Sequence, residues 1–135
     1  MDATELKQRY ERGERDFHEI NAEQAEWEGS NLSGADLSDA YLFQVNLRRA
    51  DLRNANLSGA NLMEANLAGA NLSGADLSDA YLLATNLHEA DLSDANLHHA
   101  NLRQANLSEA TVTAAQLEQA RELTGATLPD GNTAA

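Results

Sequence analysis

The 135-residue chain has no cysteine. That excludes a disulfide framework, thiol chemistry and thiolate metal sites. Aromatic residues are scarce: two Phe, one Trp and three Tyr. Apolar content reaches 42% but is nearly all Leu and Ala, which does not suit a compact globule filled by bulky side chains. Proline occurs once. No apolar run approaches the roughly 18 residues of a membrane span. The opening stretch MDATELKQRYERGERDF is charged throughout and lacks the apolar core of a secretory signal, so a soluble, cytoplasmic protein of one domain is expected. Basic residues are also few, 9 Lys and Arg against 22 Asp and Glu, a net charge of −13. Such a balance argues against direct binding to nucleic acid or to an anionic membrane, and leaves a basic protein surface as a possible partner.

What is abundant is one spacing. Sixteen leucines stand five residues apart from Leu32 to Leu107, a period that is neither helical nor extended. Alanine lies two positions before thirteen of them, with Ser30, Val45 and Thr85 as the exceptions. The residue just before each leucine is Asn ten times, Asp four times and Tyr twice. A five-residue unit cannot bury its own leucine, so the units must stack, which is the signature of a solenoid. Outside the regular run the frame weakens: Phe17, Ala22 and Trp27 hold the central position before it and Val112 after it.

The unit in Ala50-Asp51-Leu52-Arg53-Asn54 and Ala55-Asn56-Leu57-Ser58-Gly59 resembles the pentapeptide repeat family, closely over residues 30–109 and loosely over 15–29. The resemblance implies an all-β solenoid, a right-handed quadrilateral parallel β-helix. Four units make a square coil, Leu and the small residue two before it point inward, and short helices cap the ends. About five coils, roughly 4.8 Å apart, give a rod roughly 24 Å long. The expected division is an N-terminal capping helix over 1–14, the β-helix over 15–112, a C-terminal capping helix over 113–125 and a tail over 126–135 whose last few residues are mobile. Asp2 or Thr4 caps the first helix and Gly13 ends it; Thr113 and Gln116 form a capping box for the second. Phe17, Ile20 and Trp27 are expected to plug the N-terminal end. Asn and Asp suit the corners because they tolerate turn conformations and bond nearby backbone. Residues 31–42 recur unchanged at 71–82, an offset of two coils.

With a twenty-residue coil, outward residues stack in columns. One column set exposes Tyr41, Phe43, Met63, Tyr81 and Leu83, an apolar stripe of the kind that marks a protein contact or a homodimer. Two adjacent faces gather Asp36, Asp39, Asp51, Asp76, Asp79, Asp91 and Asp94 on one edge, opposed only by Arg15 and Arg53. That edge reads either as a solubilising surface or as a DNA mimic. Some members of the family inhibit or protect DNA gyrase, so the resemblance makes a type II topoisomerase the alternative partner, although five coils match only about seven base-pair steps.

No catalytic, cofactor or metal site is expected. His88 falls opposite His98 and His99, and His18 lies about four coils from His98, so the four histidines cannot share one ion. Column neighbours Asp79 and His99, and Glu28 and Arg48, are expected to form surface ion pairs. No serine has a triad partner, and there is no phosphate loop. The sequence thus points to a non-catalytic scaffold of the kind common among short cyanobacterial pentapeptide proteins. It binds an unidentified protein and is itself a monomer or homodimer.

Overall fold

One unit explains the rest of the molecule. In a computed structural model describing residues 1–135, Asp36 is extended and pairs in parallel with Asp16 one coil before and Asn56 one coil after. Leu37 turns inward and is fully buried. Ser38 and Asp39 make a turn closed by Ala40 N–H donating to the Leu37 carbonyl at 3.1 Å. Three further backbone bonds tie the unit to the next coil: Leu37 N to Asn56 O at 2.7 Å, Asp39 N to Ser58 O at 2.9 Å, and Asn56 N back to Ala35 O at 2.9 Å. The pattern repeats with a twenty-residue offset from Asp16 to Thr111, so four units close one square turn. The result is a right-handed quadrilateral β-helix whose strands are single bridging residues.

The core is a stack of leucine layers with alanine at the tight positions. Each of the sixteen repeat leucines, five residues apart from Leu32 to Leu107, is at most 1% exposed. Thr85, in an alanine position, is fully buried and donates its hydroxyl to the Leu62 carbonyl at 2.6 Å.

The Asn or Asp before each leucine acts through its side chain. Asn56 Oδ1 accepts from Ser58 N at 3.0 Å and from the Ser58 hydroxyl at 2.7 Å; Asn31, Asn61 and Asn71 accept in the same way from the N–H two residues on. The expectation that these residues also adopt the turn conformation is corrected. The positive φ falls two residues after each repeat leucine, and fourteen non-glycine residues adopt it, among them Asp39, Arg49, Glu64 and Ala84 at φ of 55 to 57°. A type II-like turn requires positive φ at its third residue, and the inter-coil bonds impose it on side chains that do not favour it.

Helix α1 (Ala3–Glu11) closes the N-terminal end. Asp2 caps it by accepting from Glu5 N at 2.8 Å. Leu6 is 1% exposed, and the Tyr10 hydroxyl donates to Ser33 O at 2.7 Å. Trp27 is fully buried and donates Nε1–H to the Met1 carbonyl at 3.0 Å. Phe17 is 2% exposed under the Arg9 guanidinium, whereas Ile20 is only partly buried.

The C-terminal end departs from expectation. Helix α2 runs only from Ala114 to Glu118, and it replaces one unit in the wall of the last coil instead of capping the rod. Leu117 is buried, and Gln116 Nε2 donates to Leu92 O at 2.7 Å and Ala95 O at 3.0 Å. The Thr113–Gln116 capping box is present. The chain then rejoins the stack one residue out of step: Glu122 pairs with Asn101 and Thr127 with Asn106. Ala126 is fully buried. The tail end expected to be mobile folds back instead, Thr133 pairing antiparallel with Thr127 and Ala134 bonding Ala126 and Gly125 at 2.8 and 3.0 Å. This covers part of an open edge that would otherwise offer unpaired backbone groups.

Candidate functional site

Three surface features stand out. The first is the apolar stripe. Tyr41 and Tyr81 are 51% and 52% exposed, the large apolar residues most open to solvent, while Phe43, Met63 and Leu83 are partly buried. Tyrosine replaces the usual Asn or Asp at 41 and 81, so these two units lack the side-chain cap on the backbone N–H two residues on. Both tyrosines border a shallow groove of about 380 Å³ with Ala40, Gly59, Asn61 and Met63. Beside the stripe runs a polar ladder, Gln24 Nε2 donating to Gln44 Oε1 at 2.8 Å and Gln44 Nε2 to Glu64 Oε1 at 3.1 Å.

The second feature is the acidic edge, which proves to be of two kinds. Asp36, Asp76 and Asp91 precede a leucine and spend an oxygen on the N–H and hydroxyl of Ser38, Ser78 and Ser93. The Ser93 hydroxyl holds the Asp91 carboxyl below its usual range. Asp51 is paired with Arg53 through bonds of 2.9 and 2.7 Å, and the guanidinium lowers its pKa. Asp39, Asp79 and Asp94 sit at the positive-φ position and project into solvent. Four of the seven carboxylates therefore serve turns or an ion pair, Asp79 faces His99, and Asp39 and Asp94 are exposed without a charged partner.

The third feature is a set of histidine–carboxylate contacts. His99 Nδ1 lies 3.8 Å from Asp79, and Arg48 lies 4.0 Å from Glu28, so both column pairs are brought together. His98 and His99 stack at 3.9 Å. His18 bonds Asp16, which raises the histidine pKa and lowers that of the aspartate. His88 meets Glu89 and Glu109. Of these histidine–carboxylate contacts the sequence indicated only Asp79 with His99; the groupings at His18 and at His88 were missed. The twenty-residue column rule places Glu109 over Glu89 and would have found the second.

The family model for pentapeptide repeats matches residues 16–49, 46–82 and 85–121, in eight copies. The chain belongs to the pentapeptide repeat family. A solved pentapeptide repeat protein from Nostoc Pcc 7120, alr5209, is 35% identical over 78% of this chain and 80% of its own, with a TM-score of 0.48. The plasmid-mediated fluoroquinolone resistance protein QnrB1 is 23% identical over 84% of this chain, with a TM-score of 0.75. The pentapeptide repeat protein AT2G44920 from the Arabidopsis thaliana thylakoid lumen is 22% identical over 88% of this chain and 80% of its own, with a TM-score of 0.56. This pentapeptide repeat chain spans about half the length of QnrB1, 54%, and at these identities QnrB1 and AT2G44920 speak for the fold alone. A search of curated protein sequences finds no significant match. No helix is long and apolar enough to cross a membrane.

Proposed function

We propose that this pentapeptide repeat protein is a non-catalytic, cytoplasmic interaction rod that docks a protein through the Tyr41–Tyr81 stripe. The observation that carries the reading is the pair of half-exposed tyrosines on one face, two coils apart, in a rod whose outward positions outside the stripe are almost all polar or small. Aromatic residues are favoured at interfaces because a ring gives a large contact area at little entropic cost. The flanking Glu64 and the net charge of −13 favour a partner with a basic rim over a second copy of this chain.

The test compares wild type with Phe43→Glu/Leu83→Glu, using affinity capture and sedimentation velocity together. A protein retained by wild type and lost by the variant, with both baits monomeric, supports the reading. A wild-type dimer that the variant dissociates would assign the stripe to self-association. An unchanged capture profile and unchanged sedimentation would overturn the proposal.

A second reading rests on Asp39, Asp79 and Asp94, exposed carboxylates along one edge. It makes the rod a DNA mimic acting on a type II topoisomerase. Inhibition of DNA gyrase supercoiling by wild type, lost in Asp39→Asn/Asp79→Asn/Asp94→Asn, would favour it over the stripe; absence of inhibition by wild type would dismiss it.

A further inference from the structure

We propose that His88, Glu89 and Glu109 form a binding site for one divalent transition-metal ion of the zinc class. The ligand atoms of the three side chains lie within 4.8 Å of one another. His88 Nε2 stands 3.0 Å from Glu89 Oε1 and 4.0 Å from Glu109 Oε2. Around a tetrahedral zinc with bonds of ~2.1 Å, ligand atoms sit about 3.4 Å apart, so these separations straddle the required value and small side-chain rotations satisfy it.

Three features distinguish this place from an ordinary charged surface. The coils hold Glu89 and Glu109 in register, both at positive φ (57° and 59°), which stacks two like charges in neighbouring coils. Neither carboxylate accepts a hydrogen bond or pairs with a Lys or Arg; His88 is the sole polar partner of each. And the imidazole is oriented from behind: His88 Nδ1 lies 2.7 Å from the Ser108 hydroxyl, and Asn86 Oδ1 holds the His88 backbone N–H at 3.0 Å. An outer partner on the second ring nitrogen is the usual device for fixing the tautomer of a ligating histidine. With an ion bound, the neutral imidazole takes the tautomer whose single hydrogen sits on Nδ1 and is donated to Ser108 Oγ, which frees the Nε2 lone pair for the metal. The remaining coordination position is open to water. One imidazole with two carboxylates suits zinc, nickel or copper better than calcium or magnesium, which take all-oxygen shells.

The similar trio Asp16, His18 and Asp36 lacks these features. There His18 Nδ1 already bonds Asp16, and Asp36 Oδ1 accepts from both the N–H and the hydroxyl of Ser38.

Untagged, chelator-treated protein is titrated with zinc chloride by calorimetry, with the histidine ring nitrogens followed by NMR. The expected result is one ion per chain, with the His88 resonances shifting. Affinity falls at least tenfold in His88→Gln and in Glu89→Gln/Glu109→Gln, and several-fold in Ser108→Ala. It is unchanged in His18→Gln and in His98→Gln/His99→Gln, and magnesium does not compete. Circular dichroism confirms that each variant keeps its fold; all the altered side chains point outward. Absence of uptake by wild type at millimolar zinc, or uptake unaltered in His88→Gln, overturns the proposal.

Discussion

Leu67→Ala is the sharpest test of how the rod is held together. Leu67 is fully buried at mid-rod, in the column of Leu47 and Leu87. Its truncation removes three buried carbons, about 2.4 kcal/mol at ~0.8 kcal/mol each. The size of the second contribution depends on whether the site collapses. Here the coils cannot close in, because Leu67 N bonds Asn86 O at 2.7 Å and Leu47 N bonds Asn66 O at 2.8 Å, fixing the layer spacing above and below. A void on the order of 60 Å³ therefore persists and adds about 1.5 kcal/mol at ~24 cal/mol per Å³. The expected loss is about 4 kcal/mol. Urea unfolding at 25 °C, followed by circular dichroism, reads it as a fall in midpoint at constant slope. A loss below about 2 kcal/mol would refute the reasoning, since the wall would then be yielding to fill the gap.

Three other outcomes follow from the same geometry. Thr85→Val keeps the shape but removes the bond to Leu62 O, which still accepts from Ala65 N at 3.0 Å; a cost of about 1 kcal/mol in urea unfolding is expected, and a loss of 3 kcal/mol or more would contradict the shared-acceptor picture. Ala84→Gly relieves a left-handed alanine (φ 56°), worth about 1 kcal/mol, against a similar entropic penalty for glycine; unchanged or slightly raised stability is expected, and a clear fall would contradict the assignment. The Arg53 guanidinium depresses the Asp51 pKa below its ordinary 3.8, so the pair's contribution is complete above that value and disappears as pH falls through the lower folded pKa. Carboxyl NMR should give a midpoint below 3.8 that rises in Arg53→Ala, and the stability gap between the two proteins should close in acid; a gap independent of pH would refute this.

The leucine and alanine positions were legible because each is repeated many times and burial leaves a five-residue unit no other use for them. Other features were not, for identifiable reasons. The left-handed residue could not be read from composition, because Asp39, Arg49, Glu64 and Ala84 share nothing except their place after a leucine. The return of the chain after α2 was hidden by one inserted residue, which moves Ala126 and Leu128 off the five-residue grid and made a wall segment read as a longer helix and tail. The acidic edge was visible as charge, but its division depends on which carboxylates cap a backbone N–H. The His88 cluster needed the column rule applied to glutamates as well as histidines.

The square coil also sets a grammar for how such a chain can grow. A duplication of twenty residues, or any multiple, adds whole turns and leaves every side chain on its original face. A duplication of five turns everything downstream by a quarter rotation without disturbing the core. The repeated segment at 31–42 and 71–82 obeys the first rule, placing Tyr41 and Tyr81 in line like marks on a ruler about 9.6 Å apart. Length and surface pattern can thus be edited independently of stability, so a family built this way can diversify what it displays while its interior stays nearly constant.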